Sequence, residues 1–295
     1  MEDAFAAYHP AVGFLFFLGA IITGMFFSHP LFLAISLFSS LLYYLLLRGR
    51  KGLKFLGGMV LLWAVMAALN AVLVQEGDTV LFTYWGGRVF TREALLYGIC
   101  AGSIFLSVML WFSCYNVVMT SDKFICLFGR LIPSLSLLLS MILRLIPNFE
   151  NKAKTIMGAR RCIGMSPDNG EKRERLRHSA DILSVLTSWA LEGAVVTADS
   201  MKSRGYGSGE RSNFNIFRRS SRDTVAAGVL LGGLALLLVG VSHGAARAEF
   251  YPRITLGEWN GYTLLGALGY AVFLLTPSAI HIGEDVTWRI LRSRI

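Results

Sequence analysis

The sequence predicts an all-α, polytopic membrane protein with about six transmembrane helices and a cytoplasmic helical domain. Three observations predict it. The chain has 295 residues, of which 54% are hydrophobic and only 16% charged, against roughly 25% charge in a soluble domain. Long apolar runs recur at 11–27, 31–47, 55–74, 94–118, 224–241 and 261–280, near the ~20 residues that cross a ~30 Å hydrocarbon layer. The 28 Lys and Arg outnumber the 19 Asp and Glu, and 14 of the 28 fall within 150–222. With a mean hydropathy of +0.55, this composition excludes a disordered chain, a collagen and an ordinary soluble enzyme.

The elements follow in order. Met1-Glu2-Asp3 supplies no positive n-region and no A-x-A site precedes a polar segment, so the first run reads as a membrane helix rather than a signal peptide. Ser28-His29-Pro30 separates the first two runs, and Pro30 can open the second helix, making a tight helical hairpin. Arg48, Arg50, Lys51 and Lys54 follow the second run; 75–93 and 242–260 carry two basic residues each; the C-terminus carries Arg289, Arg292 and Arg294. The positive-inside rule then places 48–54, 150–222 and both termini in the cytoplasm, and 28–30, 75–93 and 242–260 outside. The stretches 124–149 and 182–198 are also apolar, but contain Arg130, Arg144 and Glu192. If both crossed, the eight basic residues of 150–177 would lie outside, so both are expected on the cytoplasmic side, dipping into the bilayer or lying along it. Three domains result: 1–123 with the first four membrane helices, 124–222 as a coupling region, and 223–295 with the last two helices and a basic tail. Small residues four apart, such as Gly228 and Gly232, are expected to pack helices, and Asn70 and Asn116 to hydrogen-bond between them.

Within 124–222, a short helix is expected after Pro147, capped by Asn148 and stopped by Gly164, Ser166 and Pro167. Arg160 and Arg161 lie at its end. A second helix is expected from about Glu171 to Arg204, roughly 50 Å long at ~1.5 Å per residue. Leu176, Ala180, Leu183, Thr187, Ala190, Ala194, Ala198 and Met201 share one stripe on it; Arg177, Asp181, Ser184, Ser188, Glu192, Asp199 and Lys202 lie opposite. Gly205 suits a left-handed C-cap. Arginine at both helix ends has three readings: complementing the helix dipole, holding anionic lipid, or docking bidentately onto carboxylates of a partner.

Chemistry-bearing patterns are few. Gly205-Tyr206-Gly207-Ser208-Gly209 lacks the Lys-Ser/Thr of a P-loop and follows a helix, and there is no H-E-x-x-H. Cys100, Cys114, Cys126 and Cys162 show no metal spacing. No charge sits mid-span in the six runs, which argues against a self-contained ion-coupled carrier. No catalytic, cofactor-binding or metal residue is therefore expected in this chain.

The motifs also carry a resemblance. The stretch Leu135-Ser136-Leu137-Leu138-Leu139-Ser140-Met141-Ile142-Leu143-Arg144-Leu145-Ile146-Pro147, the triplet Ala159-Arg160-Arg161, the run from Ala198 through Ser203-Arg204-Gly205 to Gly207, and the ending Trp288 to Ile295 are similar to the transmembrane T component (EcfT/CbiQ family) of energy-coupling factor transporters. Arg161 and Ser203 depart from the small residues that are common there. The resemblance implies a coupling subunit of the bacterial cytoplasmic membrane, not an enzyme, between two ABC-type ATPases and one small substrate-capturing membrane subunit that imports a vitamin or metal ion. ATP and magnesium would belong to the ATPases, and no nucleic acid is involved. It implies ATPase docking by Ala159, Arg160, Arg161, Ser203, Arg204 and Gly205. It further implies contact with the capture subunit through Leu135, Leu138, Leu139, Met141, Leu183, Ala190 and Ala194. Alternatives are the permease half of a conventional ABC importer and a lipid-modifying membrane transferase. The latter would need convergent carboxylates or His, whereas Asp168, Glu171, Glu174 and Asp181 are interleaved with Lys and Arg and the five His are scattered.

Overall fold

A computed structural model describes residues 4–74, 76–84, 88–128, 133–165, 172–209, 219–244, 248–250, 254–256 and 260–292. Arg130, the breakers Ser166 and Pro167, the helix start expected at Glu171, and Ser293-Arg294-Ile295 lie outside the described residues. The chain divides into two compact units, Met1–Ser121 with Phe217–Ile295, and Asp122–Ile216.

Each of the six apolar runs is a helix of the first unit: α1 (Pro10–Phe26), α2 (Pro30–Arg48), α3 (Leu53–Leu73), α4 (Arg92–Val118), α8 (Ser221–Ser242) and α9 (Gly261–Arg292). The second unit contains α5 (Ser121–Phe128, which starts at the boundary), α6 (Pro133–Cys162) and α7 (Lys172–Ser203). Two small antiparallel hairpins, β1 (Val80–Tyr84) with β2 (Arg88–Thr91) and β3 (Ala248–Glu249) with β4 (Thr255–Leu256), occupy the connections before α4 and α9.

Local chemistry sets the helix starts. α1 and α2 open on the same dipeptide: His9 and His29 are the N-caps, their Nδ1 atoms accepting from Ala11 N at 3.2 Å and Leu31 N at 3.3 Å. Pro10 and Pro30 follow at N1, where no N–H is needed. α8 opens on a capping box between Ser220 and Asp223. Asp223 is buried and accepts from Ser220 N at 2.7 Å and from His9 N at 2.9 Å. One carboxylate thus ties the start of α8 to the start of α1.

Helices in lipid gain little from burying apolar surface against one another, so close packing and hydrogen bonds must hold them. The core is aromatic. Trp111 packs edge-on to Phe16 and Phe17, Phe16 lies 5.4 Å from Phe273, and Tyr270 meets Phe27 and Phe32. Interhelical hydrogen bonds run from Trp63 Nε1 on α3 to Ser103 Oγ on α4 at 3.1 Å, and between Ser36 and Ser107 at 2.9 Å. Asn116 instead donates to Phe112 O of its own helix, one turn back. The expected glycine contact is corrected too. Gly228 and Gly232 face open space, while Gly233 and Gly240 meet Gly269 and Gly266 of α9 with their backbones. Seven residues is two turns, so this pair shares a face that Gly228 does not.

α6 corrects a second expectation. It is one helix from Pro133 to Cys162 and does not restart after Pro147. A mid-helix proline removes one backbone hydrogen bond and crowds the preceding turn. Leu, Met, Arg, Ala and Lys on both sides are good helix formers and carry the helix through.

Candidate functional site: the ends of α6 and α7

The two long helices of the second unit, α6 and α7, end in the same turn. At α7, Gly205 lies at φ +81°, with Gly205 N donating to Lys202 O at 3.0 Å and Tyr206 N to Met201 O at 3.0 Å. At α6, Gly164 lies at φ +76°, with Gly164 N donating to Arg161 O at 3.1 Å and Met165 N to Arg160 O at 3.0 Å. These paired bonds are Schellman motifs, which need a residue in the left-handed region and so favour glycine.

The arginines sit differently within these ends. Arg204 immediately precedes its glycine, at the last carbonyls of the helix, and is exposed. Its neighbour Ser203 is tied down, donating to Asp199 O at 2.6 Å. Beyond it the chain turns tightly, Ser208 Oγ donating to Gly205 O at 2.7 Å. Arg204 therefore projects from a well-fixed turn. Arg160 lies four residues before Gly164, inside the helix. Its guanidinium donates to His178 O at 3.1 Å and pairs with Asp181 Oδ2 at 3.1 Å, leaving the side chain 19% exposed. Arg161, one residue on, is exposed, as is Ala159. The two ends thus share a cap but present different arginine positions.

α6 and α7 meet along one face. His178, Asp181, Ile182, Leu186, Trp189 and Ala190 are the half-covered residues of α7 between 178 and 190. Trp189 receives the ring of Phe149 edge-on at 5.5 Å and Lys152 Nζ at 5.5 Å from its centroid. Most of the small-residue stripe is left open: Leu183 is 64% exposed, and Ala194 is exposed. On α6, Leu135 and Leu138 are exposed, while Leu139 and Met141 are half-covered. The sequence therefore placed the arginines at the helix ends and put the small residues on one stripe. It missed Asp181 and Trp189 as the inter-helix contacts, although residues 178, 181, 182, 186 and 189 repeat at helical spacing.

Among the described residues, five stretches are long and apolar enough to cross a membrane, one of them covering α2 and α3 together, and α1 is a shorter apolar helix. α7 is among the five with the lowest mean hydropathy, 1.3 against 1.7 to 2.4 for the rest.

Comparison with known proteins places this architecture. A family model described as CbiQ, cobalt transport protein, matches residues 4–215. The energy-coupling factor transporter transmembrane protein EcfT of Lacticaseibacillus paracasei is 29% identical over 218 residues, covering 68% of this chain and 82% of that protein. EcfT 1 of Listeria monocytogenes is 26% identical over 201 residues, covering 63% and 74%. EcfT of Exiguobacterium sibiricum is 35% identical over a shorter match of 106 residues, 36% of this chain and 40% of that protein. Multi-pass, predominantly helical and matched across most of its length, the chain belongs to the CbiQ/EcfT family, the transmembrane components of energy-coupling factor transporters.

Proposed function

We propose that this chain is the coupling subunit of an energy-coupling factor importer, joining two ABC-type ATPases to one small membrane subunit that captures a vitamin or metal ion. The observation that carries the reading is the exposed Arg204 on a Schellman-capped turn at the end of a 32-residue helix. A planar guanidinium on a fixed mount is suited to bidentate pairing with a carboxylate in a partner's groove. The end of α6, with Ala159, Arg160 and Arg161, forms the second docking point, and Ser203 and Gly205 shape the first. Residues 124–222 then act as the coupling domain. The ATPases close on ATP with magnesium and separate after hydrolysis; the arginine ends convert that motion into displacement of α6 and α7.

The apolar residues Leu135, Leu138, Leu139 and Met141 on α6 and Leu183, Ala190 and Ala194 on α7, of which Leu135, Leu138, Leu183 and Ala194 are exposed, meet the capture subunit. Nearly uncharged Leu and Ser surfaces suit a contact that slides. The distribution of Lys and Arg supports insertion in the bacterial cytoplasmic membrane with both termini and the coupling domain inside.

The test is co-expression with the cognate ATPases and capture subunit. A charge-assisted contact is worth about 1.5–3 kcal/mol, so Arg204→Ala should weaken ATPase association by about 10- to 100-fold and depress coupled uptake. Full association and uptake in Arg204→Ala would remove the docking reading.

A further inference from the structure

α1 and α8 begin side by side, sharing the buried Asp223 carboxylate between their first turns. Further along they pack elsewhere, α1 mainly on α4 and α8 mainly on α9. A groove of about 290 Å³ is left between their starts. Its lining changes character along the helices. At the starts it is polar, with His9, Arg219 and Thr224; about a turn further in it is apolar, with Val12, Leu15 and Ala227. Leu15, Leu18 and Ile22 are exposed on one stripe of α1, and carry that apolar floor on for about 10 Å. The groove also has unspent positive charge. Arg219 lines it, Arg222 opens the helix beside it, and both are exposed. Among the described residues neither forms an ion pair. Arg222 bears electrostatically on Tyr8, just before α1, so its charge reaches the α1 side of the groove. Asp223 is the carboxylate in the lining, but it accepts two backbone N–H groups and faces the positive ends of two helix dipoles, which offset its charge. Glu284 and Asp285 of α9 line a different cavity.

We propose that this groove binds one anionic glycerophospholipid, with its phosphodiester held by Arg219 and Arg222 and an acyl chain laid along Leu15, Leu18 and Ile22. A guanidinium fork matches the oxygens of a phosphate. Basic pockets between membrane helices at headgroup depth favour anionic lipid. A polar mouth over an apolar floor fits a molecule divided in the same way. A free phosphate would leave the floor unused, and an acidic peptide would have to carry its backbone into hydrocarbon. The lipid fills the space that the protein leaves between α1 and α8, so it joins the two helices by a second route beside Asp223 and stabilises the folded chain by mass action. The site lies wholly in the first unit and stands independently of which residues meet the ATPases.

The test is native mass spectrometry of the purified full chain in detergent, with phosphatidylglycerol or phosphatidylcholine of the same acyl chains added, and the unfolding midpoint measured in each lipid. Two arginines at headgroup depth predict about tenfold more bound phosphatidylglycerol than phosphatidylcholine, and a higher midpoint with the former. In the double variant Arg219→Gln/Arg222→Gln that preference should fall to about twofold or less, and the gain in midpoint should vanish. Thr224→Trp, at an exposed position in the groove, keeps both arginines but occupies the space, and should lower phosphatidylglycerol binding about as far. Arg50→Gln/Lys51→Gln removes equal charge from another exposed loop and should leave the preference intact. Inorganic phosphate in excess should leave the lipid bound. Equal binding of the two lipids by the wild type overturns the proposal without any variant. So does a preference that survives Arg219→Gln/Arg222→Gln or Thr224→Trp. A preference lost equally in Arg50→Gln/Lys51→Gln replaces the groove with a general attraction to a basic surface, and displacement by phosphate assigns the site to a free anion.

Discussion

Gly240→Ala asks how closely α8 and α9 depend on glycine. A Cβ at residue 240 would lie 2.6 Å from Gly266 Cα, 2.9 Å from Tyr262 O and 3.0 Å from Gly266 N. Ordinary carbon contacts are ~3.5–4.0 Å, so the helices must part by about 1 Å, and the obstacles are backbone atoms that no rotamer change can move. Overpacking of this kind costs about 1–3 kcal/mol. The alanine returns about 1 kcal/mol of helix propensity relative to glycine. Taking the upper end, because backbone opposes backbone, the net loss is about 2 kcal/mol, or a fall of about 4–8 °C in the unfolding midpoint. Gly228→Ala and Gly232→Ala meet nothing within 4 Å and should keep or slightly raise the midpoint. Thermal unfolding of the three variants in one detergent is the assay. If Gly240→Ala is as harmless as Gly228→Ala, the glycine seam does not hold these helices.

Two further predictions concern helix starts. Asp223→Ala deprives Ser220 N and His9 N of their acceptor and should cost about 2–4 kcal/mol, a lost cap plus a stranded donor; Asp223→Asn should cost about half, and thermal unfolding checks both. At His29, in the turn between α1 and α2, burial holds the imidazole below its ordinary pKa. The unfolded chain therefore takes up this proton first as pH falls. The stabilisation from the neutral ring is complete above the ordinary value of 6.5 and declines as pH drops below it, when Nδ1 also loses its capacity to accept from Leu31 N. The unfolding midpoint of the wild type should fall more steeply from pH 7.5 to 5 than that of His29→Asn, which keeps an N-cap acceptor. Parallel profiles would remove His29 as the titrating group.

The membrane helices were legible because each apolar run must be long enough to cross lipid and each ends on strong local chemistry, such as His29-Pro30 before α2. The end of α7 was legible for a similar reason, since Gly205 marks a cap that few other residues satisfy. Contacts between helices were much less so. Gly228 and Gly232 have the spacing of a packing motif, yet the seam uses Gly233 and Gly240, because helix rotation is set by the whole aromatic core and not by one pair. Pro147 misled for a different reason: its local cost is one hydrogen bond, and a 30-residue helix can absorb it. Arg160 was visible as a helix-end arginine, but its partner Asp181 is 21 positions away, and only the antiparallel pairing of α6 and α7 brings them together.

The central claim is that the turn after α7 meets an ATPase. A photo-crosslinking phenylalanine analogue in place of Tyr206, two residues beyond Arg204 and itself exposed, tests it without removing a charge. Irradiated in the assembled transporter, it should join this chain to an ATPase subunit, and Arg204→Ala in the same chain should abolish the adduct. An assembled complex that gives adducts with lipid or the capture subunit and none with an ATPase would contradict the account.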